Sequence, residues 1–365
     1  MTAPGPDPIL VSYVITGREP AETAEAIRVE QTIEYPVDLA PEWIQDQVVG
    51  QVVEIDGPRV TIAYHPGVAG GDVVQFLNLL WGNVSLFTGV RVVDIRLPDA
   101  VLADFPGPRF GVPGLRALFD APTRPLLCTA LKPMGLSSGE LAGYARTLAE
   151  AGFDMIKDDH GLANQPWAPW SERISTVADA VRQVAEATGR TSVYMPTLNV
   201  PADRVHDAAH EAKQAGAGAL LVLPGLTGFD TMRALAADDE LALPIMSHPS
   251  FLGSHVVSPG QGIAHGLLLG MINRLSGADL CIFPNHGGRF SFSPAECHDI
   301  QHRCSQDLGH VRTSWPTPGG GMTLDRIDEM LAFYGNDVTL LIGGALHRGD
   351  LGDNARAMVE AVRDR

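Results

Sequence analysis

Short apolar runs alternate with stretches of helical periodicity from residue 126 to the end of the chain. The predicted strands are residues 126–132, 154–159, 192–199, 219–223, 243–248, 279–284, 311–316 and 338–342. The predicted helices that follow them are residues 139–151, 177–188, 202–215, 229–237, 263–275, 294–304, 324–334 and 355–363. Eight such units predict a closed (β/α)₈ TIM barrel. An open doubly wound sheet is the alternative, but no G-x-G-x-x-G loop supports it.

The first hundred residues follow a different pattern. Strand, helix, strand, strand, helix and strand are predicted at residues 9–16, 20–29, 46–55, 59–65, 72–81 and 92–97. Asp56-Gly57-Pro58 is a turn signal between the two middle strands. This order predicts a small ferredoxin-like α+β domain. Because proline and glycine cluster at residues 98–125, we expect an N-terminal domain at residues 1–124 and a catalytic barrel at residues 125–365.

Composition narrows the class of protein. The formal charge of −17 argues against a nucleic acid or an anionic membrane surface as partner, although cations within a site can still bind an anionic substrate. The four cysteines form no C-x-x-C pair, which is typical of reduced thiols. The N-terminal residues show no signal-peptide pattern, and no apolar run is long enough to span a membrane. We therefore expect a cytoplasmic protein.

The most informative stretch is Gly-Phe-Asp-Met-Ile-Lys-Asp-Asp-His-Gly at residues 152–161. Alternation along a strand places Lys157 and Asp159 on one face and Asp158 on the other, with His160 entering the loop. These side chains could hold a metal if the Lys157 amine adds carbon dioxide to give a carbamate, which requires a lowered pKa. The alternative is a buried ion pair beside a loop histidine.

Other polar residues fall at the same ends of predicted strands, where barrel enzymes carry their active sites: Lys132, Asn199, His248 and Asn285. Lys132 suits an acid, or a charge against an enolate oxygen. A structural ion pair is the alternative for Lys132, and a hydrogen-bonded structural role is the alternative for His248.

Glycine-rich loops follow the last two predicted strands. Gly320 and Gly321 follow the seventh strand, and Gly343 and Gly344 follow the eighth. Glycine lets backbone N–H groups approach an anion closely, and these loops are the usual phosphate position of a barrel. Turns that merely require glycine are the alternative. Arg289 lies in a loop after the sixth strand that resembles a mobile flap, and a solvated arginine is the alternative there.

With these motifs, residues 152–161 followed by Asn164-Gln165-Pro166 and Trp170-Ser171-Glu172-Arg173, the chain resembles the large subunit of ribulose-bisphosphate carboxylase (RuBisCO) over nearly its whole length. The resemblance is to the non-carboxylating RuBisCO-like proteins. It implies Mg²⁺, or Mn²⁺ or another divalent cation, bound by carbamylated Lys157, Asp159 and His160, where His160 replaces the usual glutamate.

The same resemblance implies the roles of the remaining site residues. Lys132 would assist enolisation, and His248 would be the active-site histidine after strand five. Gly320, Gly321, Gly343 and Gly344 would hold one phosphate. Glu30 and Asn83 would reach the barrel of a second subunit in a homodimer, which could assemble further into larger rings.

Departures from the carboxylase pattern are equally informative. Met134 replaces a second lysine, and Pro249 and Ile282 replace cations of the second phosphate site. Arg289 replaces the flexible-loop lysine, and Glu34-Tyr35-Pro36 replaces a Gly-Thr-Trp sequence. A bisphosphate is therefore expected to bind poorly, and carboxylation is not expected.

The resemblance implies an enzyme that forms an enediolate from a monophosphorylated sugar or sugar acid. The Asp-Asp-His sequence favours a 3-oxo sugar-acid phosphate decarboxylase, of the transcarboxylase/hydrolase kind. An isomerase or enolase of the methylthioribulose-phosphate type is the first alternative, and a non-catalytic scaffold is the second. Metal titration would separate the scaffold from both enzymes.

Overall fold

The computed structural model describes residues 7–290, 292–363 and 365. The chain forms two compact units. Within the described residues, the first unit comprises 7–106, 251–268 and 307–311, and the second comprises 107–250, 269–290, 292–306, 312–363 and 365. The domain boundary between residues 124 and 125 stays a prediction.

Thirteen strands lie in the described part of the chain. They are β1 (Ile9–Ile15), β2 (Gln51–Asp56), β3 (Arg59–Tyr64), β4 (Val90–Arg96), β5 (Leu126–Leu131), β6 (Met155–Asp158), β7 (Val193–Met195), β8 (Leu220–Val222), β9 (Ile245–Ser247), β10 (Gly262–Ile263), β11 (Leu280–Pro284), β12 (Trp315–Gly319) and β13 (Thr339–Ile342).

The α-helices are α1 (Pro20–Glu30), α2 (Glu42–Gln47), α3 (Val73–Trp81), α4 (Asp99–Leu102), α5 (Gly111–Leu118), α6 (Ser138–Ala151), α7 (Trp170–Thr188), α8 (Val205–Gln214), α9 (Pro224–Thr227), α10 (Phe229–Ala237), α11 (Gly253–Val256), α12 (Asn273–Leu275), α13 (Pro294–Ser305), α14 (Ile327–Tyr334) and α15 (Leu351–Arg363). A π-helical segment, Leu267–Ile272, precedes α12. No helix among the described residues has the length and apolar character needed to cross a membrane.

The sheet of the first unit has the strand order β10-β4-β1-β3-β2. Strands β1 to β4 pair antiparallel, and β10 pairs parallel to β4. Strands β1 to β4 with α1 and α3 therefore give the predicted ferredoxin-like order. Two details of the prediction were wrong. Residues 46 and 47 belong to α2, and Gly262–Ile263, predicted to lead into a barrel helix, is strand β10.

The sheet of the second unit has eight parallel strands in the order β7-β6-β5-β13-β12-β11-β9-β8. A parallel bridge between Thr197 and Leu221 joins its two edges, and the Leu198 N–H donates to the Leu221 carbonyl at 2.9 Å. The sheet is therefore a closed barrel, and the predicted TIM-barrel fold is confirmed.

Alternate residues of the barrel strands fill its interior. Cys128, Met155, Met195, Leu221 and Met246 belong to one buried cluster, which also takes in residues of other strands. Leu115 and Phe119, from α5 and its end, join the same cluster. Helix α5 lies in the proline- and glycine-rich segment that was predicted to connect the domains, and its apolar side chains pack against the barrel interior.

Candidate active site

Strand β6 presents its residues to two environments. Met155 belongs to the buried interior cluster, so the period of two places Lys157 and Asp159 on that same side. Lys157 pairs in register with Ala130 of β5 and Met195 of β7. The predicted division of the strand into two faces agrees with this arrangement.

Asp158 lies on the other side, in a fully buried polar group. Its carboxylate accepts hydrogen bonds from Arg173 Nε at 3.2 Å, Tyr194 Oη at 2.8 Å and the Thr197 N–H at 3.2 Å. Burial raises the pKa of Asp158, and Arg173 partly offsets that rise. Asp158 therefore has a structural role, because its hydrogen bonds hold strand β6 against α7 and β7.

Lys157 is buried, with 2 % of its surface exposed. Its Nζ donates a hydrogen bond to the Asp158 carbonyl at 3.0 Å. Burial lowers the pKa of Lys157, and neighbouring Lys132 adds to that effect. Burial also raises the pKa of the adjacent Cys128 thiol to about 12, so that thiol stays neutral. A lysine with a lowered pKa is the form that carbamate formation requires.

Asp159 joins two neighbouring side chains. One carboxylate oxygen forms an ion pair with Lys132 Nζ, and the other lies 3.3 Å from His160 Nδ1 and accepts the Gly161 N–H at 3.1 Å. Burial would raise the pKa of Asp159, but the hydrogen bonds from Lys132 and Gly161 outweigh it, so the pKa is lowered. Asp159 is thus an anion at neutral pH.

His160 and His248 stack face to face, with ring centroids 4.4 Å apart. The Ser250 N–H donates to His248 Nδ1 at 3.2 Å, and Ser250 Oγ lies 2.9 Å from the same nitrogen. Burial lowers the pKa of both histidines, that of His248 well below the usual value. Because Nδ1 accepts the Ser250 N–H, the proton of neutral His248 lies on Nε2, which makes that nitrogen a hydrogen-bond donor.

The donor set fits a divalent cation in part. Asp159 and His160 lie side by side and supply an anionic oxygen and a neutral imidazole nitrogen. No three His, Cys, Asp or Glu side chains form a metal-binding group within the described residues. A third protein ligand therefore requires the Lys157 carbamate, and the lowered Lys157 pKa is consistent with it.

The glycine loops after β12 and β13 leave open space. Gly320 and Gly321 have φ values of +96° and +69°, a backbone region that disfavours residues with a Cβ. A Cβ atom built at Gly320, Gly343 or Gly344 would contact no other atom within 4 Å. Open backbone of this kind can approach an anion.

Arg289 is exposed, and its guanidinium lies over the Phe290 ring at 4.9 Å. Its charge contributes to lowering the His160 pKa, after burial and the charges of both lysines. The neighbouring Gly288 packs on Gly321, since a Cβ at Gly321 would lie 3.2 Å from the Gly288 Cα. The loop that carries Arg289 therefore lies against the first glycine loop.

Glu30 and Asn83 belong to the first unit. Asn83 Nδ2 donates to Glu30 Oε1 at 2.9 Å and to Glu34 Oε2 at 3.4 Å. Glu34 has a left-handed φ of +44°. The predicted pair is in contact within one chain. Glu34, which the sequence marked only as a departure from the carboxylase pattern, is a third member of the group.

Two other residues depart from expectation. Asn285 is fully buried behind its strand end, where its Oδ1 accepts a hydrogen bond from Tyr334 Oη at 2.7 Å. Asn285 follows β11 directly, at the predicted strand end, but its side chain is held by Tyr334. Ser250 was not predicted, although a serine two residues after a strand-end histidine is a usable signal for a hydrogen bond to Nδ1. Asn199, by contrast, lies at the site and contacts the His160 carbonyl at 3.4 Å.

Comparisons with known proteins agree with this geometry. Residues 111–286 match the family described as "Ribulose bisphosphate carboxylase large chain, catalytic domain". The chain is 39 % identical to 5-methylthioribulose-1-phosphate isomerase of Rhodospirillum rubrum, covering 93 % of this chain and 91 % of the relative. It is 32 % identical to 2,3-diketo-5-methylthiopentyl-1-phosphate enolase of Bacillus pumilus, covering 97 % and 92 %.

A solved structure extends the likeness to the fold. The RuBisCO-like protein of Rhodopseudomonas palustris superposes with a TM-score of 0.88 at 36 % identity, covering 98 % of both chains. Relatives above 30 % identity cover more than nine-tenths of this chain, so the likeness includes both compact units. The chain therefore belongs to the family of the RuBisCO large chain, among its RuBisCO-like proteins.

Proposed function

We propose that this protein is a metal-assisted enzyme that forms an enediolate from a monophosphorylated keto sugar. The observation that carries the proposal is the cluster at the ends of β5, β6 and β9. It combines a buried lysine of lowered pKa, a charged aspartate and a neutral histidine pair. Perturbed groups of this kind, gathered at the carboxyl ends of barrel strands, are typical of catalytic sites.

The metal site of the proposal consists of Asp159, His160 and carbamylated Lys157. A divalent cation bound there would polarise the substrate carbonyl and lower the energy of the enediolate. Magnesium is the first choice, as the family resemblance implies. The imidazole of His160 makes the site softer than an all-oxygen site, so manganese, iron or zinc should also be accepted.

Two residues of the chain handle protons and charge. Lys132 is partly exposed at the strand end, with 38 % of its side chain accessible. It can therefore turn from Asp159 toward a substrate and transfer a proton at the reacting carbon or oxygen. His248 presents Nε2–H as a donor to a developing oxyanion, because Ser250 occupies Nδ1.

Substrate recognition in the proposal uses one phosphate. The backbone of Gly320, Gly321, Gly343 and Gly344 would receive it, and it is open at Gly320, Gly343 and Gly344. Arg289 in the adjoining loop would be an additional cation. The cations that form the second phosphate site of the carboxylases are replaced in this sequence by Pro249 and Ile282. Ile282 packs in the barrel interior and Pro249 carries no charge, so neither can bind a phosphate.

The relatives bear on what happens after enolisation. Relatives that are 39 % and 32 % identical are named as an isomerase and an enolase of methylthio sugar phosphates. Our first candidate is therefore a reaction in which the enediolate takes up a proton at another carbon. The decarboxylase predicted from Asp158-Asp159-His160 is the second candidate. We also place the enzyme in the cytoplasm, since its four cysteines are free and buried.

Hydrogen exchange tests the shared step. The protein is incubated in D₂O with Mg²⁺, bicarbonate and 5-methylthioribulose 1-phosphate, 2,3-diketo-5-methylthiopentyl 1-phosphate or a 3-oxo sugar-acid phosphate. NMR then records deuterium incorporation, isomerisation and carbon dioxide release. We expect enzyme-dependent exchange or turnover with one of these substrates and none with Lys157→Met protein. Equal behaviour of the two proteins on every substrate would contradict the proposal.

Metal binding tests the carbamate. We expect the affinity for Mg²⁺ to rise with bicarbonate in the unmodified protein and to be lost in Lys157→Ala, apart from weak binding at Asp159. His160→Glu should shift the preference back toward Mg²⁺. If the affinity for Mg²⁺ does not change with bicarbonate, or if Lys157→Ala binds metal normally, Lys157 is a buried structural lysine. A protein that binds no metal under any condition would instead fit the non-catalytic scaffold.

Carboxylation is a separate test of the substrate class. Each charged contact to phosphate that is missing at Pro249 and Ile282 is worth about 1.5–3 kcal/mol, and Met134 also lacks the charge of the carboxylase lysine. Ribulose bisphosphate with labelled bicarbonate should therefore give no labelled product. Fixation at ordinary carboxylase rates would refute this part of the proposal.

A further inference from the structure

A cavity of about 370 Å³ lies at the opposite end of the barrel from Lys132, Asp159 and His160. Its walls come from the segments that enter β5, β6 and β7 and from the end of α15. The lining residues are Phe119, Asp120, Arg124, Leu127, Gly152, Asp154, Gly189, Arg190, Thr191, Ser192, Val359, Val362 and Arg363. Because these segments precede their strands, the cavity is at the amino-terminal face of the barrel and is separate from the catalytic cluster.

One ion pair forms the floor of this cavity. Arg124 Nη1 and Nη2 donate to the two oxygens of Asp154 at 2.9 and 2.7 Å, and the Leu127 N–H donates to the same carboxylate at 2.8 Å. Only 3 % of the Asp154 side chain is exposed. Because the charges of Arg124 and Asp154 cancel, Asp154 is not available to neutralise the other arginines of the cavity.

Two further arginines lie on the rim without such a partner. Within the described residues, the side chains of Arg190 and Arg363 make no ion pair or hydrogen bond, and both residues are exposed. Asp120, which is near Arg124, is the remaining carboxylate of the lining. Three arginines against two aspartates leave a positive excess, in a chain whose formal charge is −17.

We infer that this cavity binds a small phosphorylated compound. Guanidinium groups match the geometry of phosphate oxygens. Thr191, whose side chain carries a hydroxyl group, also lines the cavity. The volume is within the usual range of about 300–1,000 Å³ for small-molecule pockets, so it admits a phosphate together with an organic group. The cavity lies away from the proposed catalytic residues, so a bound compound would stabilise the folded protein or regulate its activity.

Calorimetry and thermal melting with inorganic phosphate and glycerol 3-phosphate test the inference. We expect Arg190→Glu and Arg363→Glu to weaken binding about tenfold or more, because a charge-assisted contact becomes a repulsion. Asp120→Asn should strengthen binding, an outcome that misfolding cannot produce. Arg182→Ala is the matched control, since Arg182 lies on α7 outside the cavity and pairs with Asp179 and Glu186.

The glycine loops at the catalytic face could also bind these probes, and the variants separate the two sites. Binding that responds to Arg190, Arg363 and Asp120 belongs to the cavity. If all of these variants bind as the unmodified protein does, or if the unmodified protein binds neither probe, the cavity is not an anion site and the inference is overturned.

Discussion

Lys157 and Asp159 are two residues apart on one strand, and their surroundings prepare them for different tasks. Burial lowers the pKa of the Lys157 amine. Hydrogen bonds from Lys132 and Gly161 lower the pKa of Asp159 despite its burial. The first shift favours an uncharged nucleophilic amine, and the second favours a permanent anion. Both forms are those that carbamate formation and metal binding need.

The Lys132→Met variant tests the proton-transfer role. Lys132 is partly exposed, so loss of its ion pair with Asp159 should change the free energy of unfolding by only about 0–1 kcal/mol. Loss of a general acid–base group should lower kcat by about 10²–10⁴-fold. Steady-state kinetics and urea unfolding measure the two effects. A large loss of stability with nearly normal kcat would make Lys132 a structural residue.

At the scale of elements, strand β6 uses successive carboxylates for different purposes. Asp158 and Arg173 are both fully buried, and Tyr194 completes their group. Asp159 points toward the site and has 15 % of its side chain exposed. The alternation of a β-strand therefore separates a structural carboxylate from the one that we propose as a metal ligand.

Paired substitutions test this division. Asp158→Ala should destabilise the protein by about 3–5 kcal/mol, because it leaves the Arg173 charge buried without its partner. Asp159→Asn should abolish activity while changing stability by about 0–1 kcal/mol. Urea unfolding and the exchange assay compare the two proteins. An unstable Asp159→Asn protein beside a stable Asp158→Ala protein would reverse the assignment.

Asp279 links three elements at the entrance of β11. Its carboxylate accepts the N–H groups of Phe110, Gly111 and Ile245 at 2.7, 2.8 and 2.9 Å. Burial raises the pKa of Asp279 to about 6, although these hydrogen bonds partly offset the rise. The folded state therefore holds the Asp279 proton more tightly than the unfolded chain, whose aspartates titrate near pH 4.

This shift predicts a pH dependence of stability. Between about pH 4 and pH 6 the folded state binds more protons at Asp279, so its contribution to stability decreases as pH rises. Asp279→Asn should be the less stable protein near pH 4, since its amide opposes one N–H group at a cost of about 1–3 kcal/mol. Because asparagine does not titrate, the difference in free energy of unfolding between the two proteins should decrease by up to about 3 kcal/mol near pH 7. Urea unfolding across this range measures the difference, and a constant difference would contradict the assignment.

At the scale of the whole molecule, the family resemblance predicts an active site that is divided between subunits. Glu30 and Asn83 are in the first compact unit, and the catalytic cluster is in the second. On this prediction, the Asn83 of one subunit would serve the barrel of another. The contact of Asn83 with Glu30 and Glu34 already orients its amide within the chain.

Hybrid dimers test this arrangement. Asn83→Ala and Lys157→Ala proteins should each be inactive, and mixing them under conditions of subunit exchange should restore up to about a quarter of the activity, since half of the dimers are hybrids with one intact site of two. A mixture of Lys157→Ala and Asp159→Asn proteins is the matched control, because both changes affect the same barrel and no hybrid site is intact. Full activity of a demonstrably monomeric preparation would show that no partner is needed.

Sequence pattern alone was sufficient for the architecture. The eight apolar runs and their intervening helices predicted the barrel, because a parallel strand buried on both sides must be apolar along its length. Period-two alternation was also enough to place Lys157 opposite Asp158, since it depends only on backbone geometry. The residue types at the strand ends indicated metal binding and acid–base chemistry, because the end of a strand can be located from the local sequence pattern alone.

Tertiary structure decided what depends on distant neighbours. Gly262–Ile263 became a strand because β4 offered it an open edge, and Asn285 turned inward because Tyr334 offered its hydroxyl. The Lys157 pKa depends on burial by the surrounding barrel, and the arginine-lined cavity gathers residues from Asp120 to Arg363. Sequence spacing carries no information on such long-range contacts, because burial and charge are set by which segments pack together.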